Sequence, residues 1–363
     1  MNDDPPGGVG DAGPDMAGRF AGCLLGGAVG DALGAPVEFS SIDEIRRSHG
    51  AGGVTGYLRS YGRLGAVTDD TQMTLFTAEG LLRAEQRMRD RGLCNLDAAL
   101  LRAYQRWLST QVGSSKVPWD PDFAGGESGW LVSEPFLRHR RAPGSTCLSA
   151  LSTPDAGRLE RPVNDSKGCG GVMRVAPVGL VARDPFDVGC RAAALTHGHP
   201  SGWISAGALA VIVATLTRGA SLPVAVEAGQ EAVAGHPKGG EVGDALRAAV
   251  ALAESPVPPG PEAVESLGAG WVGEEALAIA VYCALSATSF RAGVLAAVNH
   301  SGDSDSTGAI AGNILGVHLG ASAIPPGLTD ELEGGEVIAR VARDLHDAFV
   351  IRAPIDFTRY PTW

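Results

Sequence analysis

The chain has 363 residues, 44% hydrophobic and 19% charged, with 51 glycines and only 6% aromatics. This is the composition of a globular protein whose core is built on small side chains, in one large domain or two by length. A formal net charge of −12 argues against a broad surface for nucleic acid or anionic membrane, but not against a small anionic ligand in a local pocket.

The six cysteines (Cys23, Cys94, Cys147, Cys169, Cys190, Cys283) are scattered and form no C-x-x-C pair. The spacing disfavours a zinc site and favours a reduced, cytoplasmic setting. Residues 1–16 are rich in Asp, Gly and Pro and lack a basic region followed by an apolar one, so they read as a disordered N-terminal tail rather than a secretory signal. The remainder, 17–363, reads as one all-α domain. The longest apolar runs, near 203–216 and 276–290, fall short of the ~20 residues that span a bilayer and read as buried helices.

A helical pattern starts at Gly18, where Gly18, Gly22, Gly26, Gly30 and Gly34 recur every fourth residue. On a helix they make one ridge without side chains. Each interior glycine costs ~1 kcal/mol against alanine, so the ridge calls for a close helical neighbour. A second ridge, Gly308, Gly312, Gly316 and Gly320, has the same spacing. The two ridges can pack on each other, or each on a third helix. Gly34 and Pro36 end the first helix, and Glu38 lies just beyond.

Residues 71–89 form an amphipathic pattern with an i, i+4 pair, Glu79 and Arg83. Helices are also expected over 95–108, 203–216, 224–234, 242–253, 274–290, 291–298 and 330–347. The stretch 111–167 is irregular, with a small basic patch at 138–141, and reads as functional loops. It leads into Gly168-Cys169-Gly170-Gly171-Val172-Met173-Arg174. Successive glycines there expose backbone N–H groups that suit an anion, with Lys167 or Arg174 in support, although a plain tight turn has the same sequence. His197 and His199 precede Pro200, where metal ligation, ligand contact and helix capping are all open.

Two stretches stand apart from this background: Thr68-Asp69-Asp70 and Asp303-Ser304-Asp305-Ser306. Each crowds two carboxylates and at least one hydroxyl. Asp and Thr are good N-caps, but a cap does not require two adjacent carboxylates. Such groups repel unless a cation sits among them, and oxygen-only ligands suit Mg²⁺, Mn²⁺ or Ca²⁺. The two stretches are therefore expected to meet in the fold and hold metal.

Taken together, the run from Gly26 to Gly34, Glu38, Thr68-Asp69-Asp70-Thr71, Met173-Arg174-Val175-Ala176-Pro177, Thr196-His197 and Gly302-Asp303-Ser304-Asp305-Ser306-Thr307-Gly308 resembles the ADP-ribosylglycohydrolase family, the dinitrogenase-reductase-activating type. The likeness runs from about Gly18 to about Ala321. It implies a compact, single-domain orthogonal helical bundle with a binuclear metal cleft that binds two divalent cations, Mg²⁺ or Mn²⁺. It also implies hydrolysis at the ribose anomeric carbon, releasing ADP-ribose from ADP-ribosylated protein. Carried over by motif, the metal ligands are Thr68, Asp69, Asp70, Asp303, Asp305 and Ser306. Glu38, Asp69 and Asp70 are the catalytic carboxylates. Gly168, Cys169, Gly170, Gly171, Met173 and His197 are the substrate contacts. The form of the second acidic motif favours arginine-directed members.

One departure is Cys169, where many relatives have Asn between the two glycines; a thiol does not donate as an amide does. Other linkages (serine, a nucleic-acid base), a two-metal nucleotide hydrolase and a non-catalytic ADP-ribose-binding module are the alternatives.

Overall fold

The computed structural model describes residues 14–119 and 128–362. Most of the expected tail lies outside the described residues. Two of its residues do not belong to a tail: Asp15 caps the first helix, accepting from Gly18 N at 2.6 Å, and the helix itself is Met16–Gly34. Among the described residues there are sixteen α-helices and no strand, only isolated bridges such as Gly168–Val272. The fold is all-α, as the sequence predicts.

Its axis is the antiparallel pair Met16–Gly34 and Ser304–Leu319. The two glycine ridges pack on each other. Gly22 faces Gly316, Gly26 faces Gly312 and Gly30 faces Gly308, and a methyl group on any of the six would strike the carbonyl oxygen opposite. At one end of the seam Gly34 meets the Ser304 carbonyl in the same way. Such contact is available only without a Cβ, and it puts Cα–H groups against carbonyls along the seam. Gly18 and Gly320 fall outside it. Gly18 sits over its own cap, and Gly320 ends its helix with φ +81. Asn313 fastens the seam by donating to the Cys23 carbonyl at 2.8 Å.

The helix Asp69–Arg91 packs beside this pair. Thr68 caps its start and left-handed Gly92 its end. It is buried on all sides from Asp69 to Ala84 and is not the amphipathic surface helix its pattern suggests. The reason is the pairing of Glu79, which binds Arg83 at 2.8 Å and Arg106 of the helix Leu96–Val112 at 2.8 Å, so three charges are neutralised inside the core.

Two expected helices are divided. The run 274–290 separates into Gly273–Leu285 and Phe290–Val298, because Ser289 caps the second by accepting from Ala292 N at 3.1 Å. The run 330–347 contains Gly335–His346, preceded by Pro326–Asp330. Between them Gly334 takes φ +70 against the Phe136 ring, a place with no room for a side chain. The helix Pro200–Thr217 is long and apolar enough to cross a membrane, yet 89% of it is buried inside the protein. All six cysteines are free thiols.

Candidate active site

The glycine seam decides where the acidic residues lie. Where Met16–Gly34 ends, the chain turns and presents Glu38; Ser304–Leu319 begins at that same end, with Asp303 as its cap. The start of Asp69–Arg91 joins them. Two helix N-termini therefore bring their carboxylates together, and each partial positive end favours negative charge.

Glu38, Asp303 and Asp305 each offer one oxygen within 4.8 Å of the others. Asp69, Asp70 and Ser306 line the same cleft, together with Gly168, Cys169, Gly170, Met173, His197 and Trp271. The cleft encloses about 250 Å³. The requirement that Asp69 and Asp305 share one site is met.

Two expected residues are placed differently. The Thr68 hydroxyl lies beneath the floor, donating to Asp31 Oδ1 at 2.9 Å and accepting from Asp70 N at 3.3 Å. Gly171 sits behind the wall, against Ala193 and Gly202. The anion-binding support expected of Lys167 and Arg174 is also absent. Lys167 pairs with Glu274 and with Glu241. Arg174 is buried, donating to Thr196 Oγ1 at 2.8 Å and the Ala192 carbonyl at 3.1 Å, and lies over the Tyr104 ring. His199 caps its own helix, accepting from Ser201 N at 3.2 Å.

No Lys or Arg is among the described residues that line the cleft. Its one imidazole, His197, is pushed down to about 3 by burial and by the Arg174 charge, so it is neutral. Five carboxylates thus share a buried space with no cation from the chain. Burial first, and the Asp305 charge next, hold Asp69 and Asp70 well above the usual carboxylate range. Asp303 is raised for the same two reasons, and burial raises Asp305. Glu38 is raised to about 10 by burial and by Asp305 and Asp303. Two oxygens, Glu38 Oε2 and Asp70 Oδ1, are buried with no hydrogen-bond partner. Buried, unpartnered, all-oxygen acid clusters are what a hard divalent cation requires, so the residues present fit a metal centre.

Asp31 is the functional-site residue that its sequence position does not announce. Its carboxylate accepts from Thr68 N at 3.0 Å, Thr68 Oγ1 at 2.9 Å and Thr71 N at 3.1 Å, and also from Thr71 Oγ1. It thereby fixes the loop that presents Asp69 and Asp70. Burial and the Asp305 charge raise it to about 7. The available signal was an acid set in a helix of glycine and apolar residues with no basic neighbour. At the rim, Trp271 stacks on Phe39, with centroids 5.7 Å apart and planes at 17°.

Comparison with known proteins agrees with this architecture. A sequence profile of the ADP-ribosylglycohydrolase family matches residues 12–354. The chain is 26% identical to the ADP-ribosyl-[dinitrogen reductase] glycohydrolase of Rhodospirillum rubrum, over 95% of this chain and 99% of that protein. It is 25% identical to the ADP-ribosylhydrolase ARH3 of Mus musculus, over 91% and 92%. A protein of Archaeoglobus fulgidus described as uncharacterized is 29% identical, over 92% and 97%. Among solved structures, one described as an ADP-ribosylglycohydrolase-related protein complex superposes with a TM-score of 0.63 at 24% identity, covering 91% of this chain and 98% of that one, which speaks to the fold. With the match spanning nearly all of its length, the chain belongs to the ADP-ribosylglycohydrolase family and is a hydrolase of ADP-ribosyl bonds.

Proposed function

We propose that this hydrolase is metal-dependent, uses two divalent cations (Mg²⁺ or Mn²⁺), and releases ADP-ribose from ADP-ribosylated arginine side chains of proteins in the cytoplasm. The observation that carries metal dependence is the set of five buried carboxylates without a counter-charge, two of whose oxygens have no partner. Bound there, divalent cations supply Lewis-acid stabilisation and lower the pKa of coordinated water.

The chain's own residues divide the remaining work. Asp303, Asp305, Asp69, Asp70 and Ser306 hold the centre. Asp31 and Thr68 position that set from below, through the hydrogen bonds between them. Glu38 is the base we favour. It stands on a turn rather than at a helix N-terminus, and its Oε2 is free to accept a proton from the attacking water. His197, neutral, and the turn from Gly168 to Met173 form the wall on which the ADP-ribose is held.

The preference for arginine rests on the rim. Phe39 is 75% exposed and Trp271 42% exposed, and they stack beside an acidic cleft. A guanidinium is a planar cation that stacks on aromatic faces and is drawn to carboxylates. A serine-linked substrate presents no such group. The test is incubation with Mg²⁺ or Mn²⁺ and proteins ADP-ribosylated on arginine or on serine, following free ADP-ribose. Faster release from arginine, lost on chelation, is the expected result. Equal rates would remove the arginine preference, AMP as product would indicate phosphate-bond cleavage, and unaffected release in chelator would remove the metal.

A further inference from the structure

The wall of the cleft carries sulfur where the sequence motifs lead one to expect only oxygen. Cys169 opens the tight turn Cys169–Gly171 and is anchored by its own backbone, whose N–H donates to the Trp271 carbonyl at 3.2 Å. Its side chain turns inward: Sγ–H donates to Asp303 Oδ2 at 2.7 Å. Ser306 Oγ lies 3.6 Å from the same sulfur and 3.8 Å from Met173 Sδ. The thiol is thus in direct contact with one expected ligand and one contact away from another.

A second observation is independent of the cysteine. Asp70 is 3% exposed and lines the same cleft, and its Oδ1 has no partner. Glu38 Oε2 is in the same condition. A cation that satisfies these oxygens has Cys169 Sγ at its side. Thiolate is a soft ligand that favours Co²⁺ or Zn²⁺ over Mg²⁺, whereas an all-oxygen set favours the hard ions.

We infer that Cys169 Sγ is a ligand of the metal centre, making it a mixed oxygen–sulfur site that takes a thiophilic first-row divalent cation in preference to Mg²⁺. The inference rests on the metal-centre reading given above. On binding, the S–H bond breaks, a sulfur–metal bond forms, and the proton passes through the hydrogen bond to Asp303 and out to solvent. No change of oxidation state is involved. The absence of a C-x-x-C pair does not bear on such a site, because the fold rather than local spacing brings the sulfur to the carboxylates.

The experiment is titration of the metal-free full-length chain with Co²⁺, read by absorption, and with Co²⁺ and Mg²⁺, read by calorimetry. Wild-type protein is expected to show a sulfur-to-cobalt charge-transfer band and to release one more proton per chain than C169S. C169S is expected to lose the band, and its preference for Co²⁺ over Mg²⁺ to fall about 10- to 100-fold, the range typical of removing a group that supports a metal. C147S, which removes the other thiol lining the cleft, is expected to keep the band. Co²⁺ binding without the band, or a band that persists in C169S, would overturn the inference and leave the metal centre standing. Failure of wild-type protein to bind either ion would overturn both. If C169S does not fold by circular dichroism, C169A supplies the same comparison.

Discussion

One helix, Asp69–Arg91, buries charge in two ways. Three turns along it, Glu79 lies between Arg83 and Arg106, and every charge there has a partner from the chain. At its N-terminus, Asp69 and Asp70 face Glu38, Asp303 and Asp305 with no basic side chain among them. The first cluster is complete as folded. The second is complete only with something that is not protein. Buried charge that serves structure comes with its counter-ion, whereas buried charge that lacks one marks a place for a ligand.

Breaking the complete cluster has the largest expected effect. Glu79→Ala leaves two guanidinium groups buried and unpaired, and should cost about 3–5 kcal/mol, read as a lower urea midpoint. An unchanged midpoint would end the contrast. Gly312→Ala, which forces a methyl group against the Gly26 carbonyl, should cost about 1–3 kcal/mol and also lower metal affinity, because the seam sets the distance between Glu38 and Asp303. Full metal affinity in that variant would separate seam from site.

Breaking the incomplete cluster has the opposite sign. Asp305→Asn removes a carboxylate that raises its neighbours. It should stabilise the metal-free protein by about 0.5–2 kcal/mol while abolishing hydrolysis. Destabilisation on thermal melting would refute that account.

The smallest effect is the sharpest. Asp31 is held at about 7 and Glu38 at about 10, above their unfolded values near ~4. The folded, metal-free chain therefore binds protons that the unfolded chain has lost. Their stabilising contribution is complete below about pH 4 and is lost as pH rises through 7 towards 10. Added Mn²⁺ should accordingly raise the melting temperature more at pH 8 than at pH 5, and an equal rise at both would count against cation binding by these groups.

How far the sequence could reveal this depends on whether a signal is local. The glycine ridges and both acidic stretches are periodic or contiguous, so spacing alone exposes them. Asp31 is not readable in that way, since its role is fixed by Thr68 and Thr71 from a distant stretch. Glu79 and Arg83 have the spacing of a surface pair, and only Arg106 on the next helix makes them core. Arg174 sits beside a glycine-rich turn, which suggests anion binding, but Thr196 and Tyr104 claim it. Cys169 was legible as a departure from the family pattern; its contact with Asp303 required three dimensions.

The glycine seam also limits how such a protein can vary. Because the backbones of Met16–Gly34 and Ser304–Leu319 touch directly, neither helix can slide or rotate to absorb an altered length. One inserted residue would swing everything beyond it by about 100° and pull Glu38 and Asp303 out of mutual reach. New specificities would therefore have to be written into the loops around the cleft, such as the turn at Trp271, while the two helices keep a constant gauge.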